Sequence, residues 1–450
     1  MPFQTLVKQG SSLTVLAPKT FGLRAYRRLA AGAGPLVSLL LRRRLVQGKE
    51  DPARVREKQG FPSKPRPDAP LIWLHGASVG EALSMLPLIN TLSILRPDLT
   101  FLVTTGTLTS AQLMAERLPE NALHQFAPLD HPTYCKRFYD YWHPDLCVII
   151  ESELWPNMIM GASDHRIPLV LANARLSERS AKGWARVRSS IAHLLGLFQL
   201  VLAQDVKSAE RLTALGAKPV SVPGNLKMDA APLLADPADL KAIGSQIGGR
   251  PCWVAASTHD GEEMLVGRVH AGLKKRFPDL LTILAPRHPA RGPSIVADLS
   301  SQGLQIAQRS AGDAITATTD IYLADTLGEM GLIFGLSPIA FIGGSFVEIG
   351  GHNPLEAARL NCAILFGPHM FNFADATQEL TDAEGALQVA SEGEMLETLS
   401  LWLTMPAVTK QMAVRGKETV AASTGVAERV TQELLPLLPH AHAIVGGQDA

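Results

Sequence analysis

Cysteine is scarce in this chain: four among 450 residues, at Cys135, Cys147, Cys252 and Cys362, with no C-x-x-C pair. That excludes a disulfide framework and a cysteine zinc site, and it fits a reducing, cytosolic setting. An excess of either charge is missing too, since Lys+Arg and Asp+Glu both total 42. No long-range field draws the protein to nucleic acid, so any anionic partner must be met locally. No Asp-x-Asp occurs, which removes sequence support for a metal–diphosphate clamp. The loop histidines His75, His259, His288 and His352 match no metal-ligand spacing, so no metal is expected. Aromatics make up only 6% of residues against 46% hydrophobic, a balance suited to Ala/Leu/Val-rich α/β layers.

One segment departs from a plain soluble pattern. Leu29 to Leu41 is an uncharged run of thirteen residues between Arg24/Arg27/Arg28 and Arg42-Arg43-Arg44. It is short of the about 20 residues that a spanning helix needs, and the arginines after it argue against signal cleavage. Residues 1–50 therefore read as a membrane-associating segment, with apolar side chains at the acyl boundary and arginines on anionic headgroups. An ordinary helix docked on the core is the alternative.

From Leu71 onward, short β-rich runs alternate with helical stretches. "LIWLHGA", "TFLVTTG", "DLCVIIES", "PLVLANA" and "QLVLAQ" read as parallel strands buried on both faces. The rhythm pauses in "SVPGNLKMDAAPLLADPADL" and restarts with "CWVAAST", "LLTILAPRH", "LQIAQRS", "ITATTDIYLAD", "IAFIGGS" and "AILFGPH". Two Rossmann-like, doubly wound domains follow: an amino-terminal one over 51–224 and a carboxyl-terminal one over 225–425, with 426–450 as a tail. "RSSIAHLLGLFQLVLA" reads as core helix plus strand, and Trp155, before Pro156, as packing.

Ligands of such sheets bind beyond the carboxyl ends of the strands. In the first domain those ends carry "HGASVGE", "TTGTLTS", "ESELWPN" and "NARLSERS"; in the second, "STHDGEE", "APRHPAR", "ADTLGEM" and "GGSFVEIGGHNPLEAAR". Loops this polar at one end of both sheets imply an interdomain cleft. Ser78-x-x-Glu81 is a capping box, yet Gly80 lets a ligand approach the backbone beside Glu81. Glu81 is thus either a cap or a proton acceptor. Asn353-Pro354 marks a helix start whose N–H groups suit an anion. Glu356 is either a further cap or a partner for ribose hydroxyls.

Apart from "TTGTLTS", these motifs, with "GNLKMD" and "GPHMFNF", stand in the order of the Kdo transferases of lipid A biosynthesis, and from about Ser78 to Phe373 the chain resembles that family. Ala357 departs from the proline usual there. The resemblance implies a GT-B fold, with 3-deoxy-D-manno-octulosonic acid (Kdo) moved from CMP-Kdo to a lipid A precursor at the cytoplasmic leaflet of the bacterial inner membrane. It implies Glu81 as the base and Lys227 with Glu151 or Glu153 as transition-state helpers. Pro286-Arg287-His288, Gly328-Glu329-Met330 and Asn353-Pro354-Leu355-Glu356 would bind CMP. Arg175, Arg179, Arg287 and Arg291 are further cations for the donor's phosphate and carboxylate. Inversion without metal or other cofactor is expected. A uridine-nucleotide GT-B enzyme and a non-catalytic nucleotide-sugar binder are the alternatives.

Overall fold

The structure, a computed structural model, describes residues 20–229 and 233–440. It divides into two compact units: residues up to 230 with those from 425 onward, and residues 231–424.

The first unit holds a parallel sheet of β1 (Leu71–His75), β2 (Thr100–Thr105), β3 (Ala122–Phe126), β4 (Leu146–Ile150), β5 (Leu169–Ala174), β6 (Leu200–Ala203) and β7 (Val220–Ser221). Their order is β3-β2-β1-β4-β5-β6-β7. β1 and β4 are both wholly buried, as their unbroken apolar text requires. Trp73 of β1 packs with Phe138, Tyr139 and Trp142 in the core beneath the sheet. Each such buried side chain contributes about 1.5–3 kcal/mol.

The second unit repeats the plan with β8 (Cys252–Thr258), β9 (Leu281–Pro286), β10 (Ile306–Gln308), β11 (Ile321–Leu323), β12 (Ile339–Ile342), β13 (Ala363–Phe366) and β14 (Ala386–Gln388). Here the order is β10-β11-β9-β8-β12-β13-β14. Chain order reverses between β1 and β4 in one unit and between β8 and β12 in the other. Those switch points are where such sheets bind ligands.

Two expected boundaries move. Residues 225–229 belong to the first unit, because Leu226 is fully buried and its N–H donates to Asn173 Oδ1 at 2.9 Å. The expected tail is structured from its first residue. Val426–Leu434 is a helix burying Val426, Ala427, Val430 and Leu434, and Asp229 accepts the N–H groups of Gly425 and Ala427 at its start. The last ten residues of that tail, like the first nineteen of the amino-terminal segment, lie outside the described residues.

The amino-terminal segment forms two helices, Phe21–Gly32 and Gly34–Val46. Leu23 is buried, Tyr26 donates to Asp130 at 2.9 Å, and Arg27 pairs with Asp164 at 2.8 Å. The segment therefore docks on the first unit while leaving Leu29, Leu36, Leu39 and Leu40 exposed. Among the described residues no helix is long and apolar enough to cross a membrane.

Candidate active site

β1 and β4 run side by side, with His75 opposite Ile149, so the loops that follow them emerge together. After β1 the chain turns at Gly76, where a Cβ would come within 2.8 Å of Glu81 Cβ. Only glycine leaves room there for the Glu81 side chain to fold back. Ser78 then caps the helix Val79–Leu95, its hydroxyl accepting from Glu81 N at 3.3 Å. The Glu81 carboxylate accepts from Ala77 N at 2.6 Å and from the Ser78 hydroxyl at 2.8 Å. The capping geometry is real, and Glu81 is also only 9% exposed. Burial raises its pKa above the ordinary carboxyl value, and the Glu151 charge pushes the same way. The bonds from Ser78 and Ala77 oppose that rise without cancelling it.

After β4, Glu151 adopts φ +59°, a left-handed conformation that a non-glycine residue holds only under constraint. Its Oε1 lies 2.5 Å from Lys227 Nζ. The same amine is the nearest group to Gly80, 3.9 Å from where a Cβ there would sit. Glu153, two residues on, accepts from the Trp155 indole. Burial raises its pKa; that indole bond opposes the rise, and the charges of Glu81 and Glu151 add to it. The structure thus gathers Glu81, Glu151, Glu153 and Lys227 in one unit, at its switch point. Glu151 takes the amine and Glu153 the indole, which separates two residues that spacing alone could not.

Sequence reasoning missed the supports of this cluster. Lys58, nearly buried, pairs with Glu50 at 2.6 Å and donates to Gly106 O at 3.0 Å. Gly106 N donates to Ala77 O at 3.0 Å, and Ala77 in turn holds Glu81. A Lys inside a short charged stretch gave no hint of that reach.

The second unit is built differently. Glu262, 1% exposed, accepts four backbone N–H groups: His259 at 2.9 Å, Gly344 at 2.7 Å, Ser345 at 3.0 Å and Phe346 at 2.9 Å. It clamps the loop after β8 to the loop after β12. His259 Nε2 lies 2.8 Å from His352 Nε2, with the rings parallel, and His288 meets His259 edge-on. Burial lowers the His352 pKa to about 4 and lowers that of His259 too. Near neutral pH both rings are therefore uncharged, one donating and the other accepting, and Arg287 beside them is exposed.

Asn353 caps the helix Pro354–Arg359, accepting from Leu355 N at 3.1 Å and donating from Nδ2 to Glu356 Oε1 at 3.3 Å. Gly350 and Gly351 have positive φ, and a Cβ at Gly351 would overlap Met370 Sδ. The "GGHNP" turn is thereby seated on "GPHMFNF". Pro286 ends β9, with His288 exposed just beyond it.

Two expected ligand contacts are already engaged. Glu329, after the left-handed Gly328 and before Met330, is held by Arg309 at 2.6 Å, which lowers its pKa. Arg291 pairs with Glu263 at 2.7 Å and Asp260 at 2.8 Å, so its charge is largely answered within the fold. Trp155 is 45% exposed, not packed inside.

Comparison with known proteins decides the family. The profile described as 3-deoxy-D-manno-octulosonic-acid transferase (kdotransferase) matches residues 53–230. A 3-deoxy-D-manno-octulosonic acid transferase of Haemophilus influenzae is 34% identical over 423 residues, 92% of this chain and 98% of that protein. The chain belongs to the 3-deoxy-D-manno-octulosonic acid transferase family. Its counterpart in Rickettsia bellii is 35% identical over 381 residues, 85% of this chain and 91% of that protein. Among solved structures, the UDP-GlcNAc 2-epimerase of Neisseria meningitidis bound to UDP-GlcNAc superposes with a TM-score of 0.56 at 15% identity, covering 81% of this chain and 99% of that one. That likeness is one of fold, GT-B. For this Kdo transferase family member, the expected resemblance and fold class both hold.

Proposed function

We propose that this protein is an inverting glycosyltransferase that moves Kdo from CMP-Kdo to a lipid A precursor and releases CMP. The observation that carries the reading is Glu81: a carboxyl at the β1–β4 switch point, buried enough to raise its pKa yet tied to the start of a helix. A raised pKa suits a general base for the acceptor hydroxyl. Lys227, paired with Glu151, supplies the local cation. Glu153 supplies a second carboxyl near the positive charge that develops on the sugar. In the second unit, Pro286-Arg287-His288, Gly328 to Met330 and Asn353 to Glu356 contact CMP. For Glu329 the contact comes from its backbone, since Arg309 holds its carboxylate. No metal takes part, and EDTA leaves the rate within about twofold.

The exposed leucines of Gly34–Val46 and the arginines around them support the reading that the protein sits on the cytoplasmic face of the inner membrane. Replacing Leu36, Leu39 and Leu40 by Ser releases it from anionic vesicles while CMP binding persists; full sedimentation of that variant contradicts the placement. The function is tested by incubation with CMP-Kdo and tetraacylated lipid A precursor. A product heavier by Kdo, with equimolar CMP, supports it. Release of UDP from a uridine donor instead overturns it.

A further inference from the structure

A groove of about 450 Å³ opens in the first unit between the helix Phe21–Gly32 and the loop after β4. That size lies within the roughly 300–1,000 Å³ of small-ligand sites. Its walls are mostly hydrocarbon: Leu23 and Tyr26 from the helix, with Trp155, Trp184, Val187 and Leu194 opposite. Trp155 and Val187 are about half exposed, at 45% and 49%. Large apolar side chains left open side by side mark a surface that receives something apolar.

One observation says what. Glu153 belongs to the same lining and lies within electrostatic reach of Glu81 and Glu151, so the groove leads up to the carboxyl cluster. A hydrocarbon slot that ends at a proton acceptor matches an amphiphile carrying a free hydroxyl. We propose that the groove holds one fatty acyl chain of the lipid acceptor and so sets the acceptor's hydroxyl beside Glu81. This rests on the reading of the chain as a transferase acting on a lipid. The volume admits one chain, not the whole acceptor.

Val187→Phe tests it, because Val187 takes no part in the carboxyl cluster and the larger ring enters the groove. Kinetics are read in detergent with tetraacylated precursor and with its fully deacylated counterpart. The KM for the acylated acceptor rises about tenfold, the loss expected when a chain's apolar contacts are displaced. Its kcat and all parameters for the deacylated acceptor stay within about twofold. Equal loss on both acceptors, or no change on either, overturns the proposal. So does weaker vesicle sedimentation with unchanged detergent kinetics, which assigns the groove to a bilayer phospholipid. In parallel, bromine-labelled dodecanoate quenches the fluorescence of Trp155 and Trp184 in the wild type and not in Val187→Phe. Quenching without Kdo transfer to either acceptor sinks the functional reading and keeps the groove. Transfer without quenching does the reverse.

Discussion

The two units share a topology and treat their carboxylates in opposite ways. At the β1–β4 switch point, Glu81 is buried and Glu153 half-buried close to Glu151, and loss of solvent together with mutual repulsion raises both pKa values. One lysine, Lys227, pairs within that group. At the β8–β12 switch point, Glu262 is saturated by four backbone N–H groups, and Glu329 is held low by Arg309. A carboxyl whose pKa is raised by its surroundings takes a proton more readily than an ordinary one. One fully engaged by donors can only hold a loop in shape. On the function proposed above, the same fold carries chemistry in one unit and a rigid platform in the other.

The contrast is broken most directly at Glu81. Glu81→Gln keeps the cap, since Gln serves at that capping position as well as Glu, but an amide takes no proton near neutral pH. Kdo transfer falls by about 10²–10⁴, the usual worth of a general base. Because the folded pKa is raised, ionising Glu81 costs stability above its unfolded value near 4.3. The variant therefore melts at or above the wild type at pH 7, and that advantage fades as pH falls toward 4. Melting curves at the two pH values check the sign.

Glu262→Ala breaks the other side. It leaves four N–H groups without their acceptor and costs about 3–5 kcal/mol of stability, with CMP affinity lost as the two loops part. Calorimetry and a titration with CMP report both; a stable variant with normal affinity contradicts the clamp.

Glu356→Ala has the smallest expected effect, a loss of about 1–3 kcal/mol in CMP binding if its carboxylate meets ribose hydroxyls. A lower melting point with unchanged affinity returns Glu356 to the role of a cap.

Much of this contrast was legible in the residues. Apolar runs such as "LIWL" and "CVII" announced β1 and β4, and Ser78-x-x-Glu81 announced the helix start. β3 escaped because His124 and Gln125 interrupt its apolar text, although both are buried. β7 and β14 escaped because edge strands of two or three residues leave no pattern. The Pro-rich text around Lys227 resembles a linker, and so the expected domain boundary falls on the wrong side of it. What fixes it is burial of Leu226 and the bond between Asp229 and a helix about two hundred residues later. Glu262 stands within "STHDGEE", but its acceptor role depends on donors 82 to 84 residues away. No local spacing encodes that.

The central claim is that a buried carboxyl of the first unit takes the acceptor's proton. The measurement that tests it is the pH dependence of single-turnover Kdo transfer, wild type beside Glu81→Gln. A base acts only when deprotonated, so the wild-type rate climbs with pH through the folded pKa of Glu81, which lies above the ordinary carboxyl value. The residual rate of the variant lacks that limb. A wild-type profile flat down to the ordinary carboxyl range, or the same limb retained in Glu81→Gln, contradicts the claim.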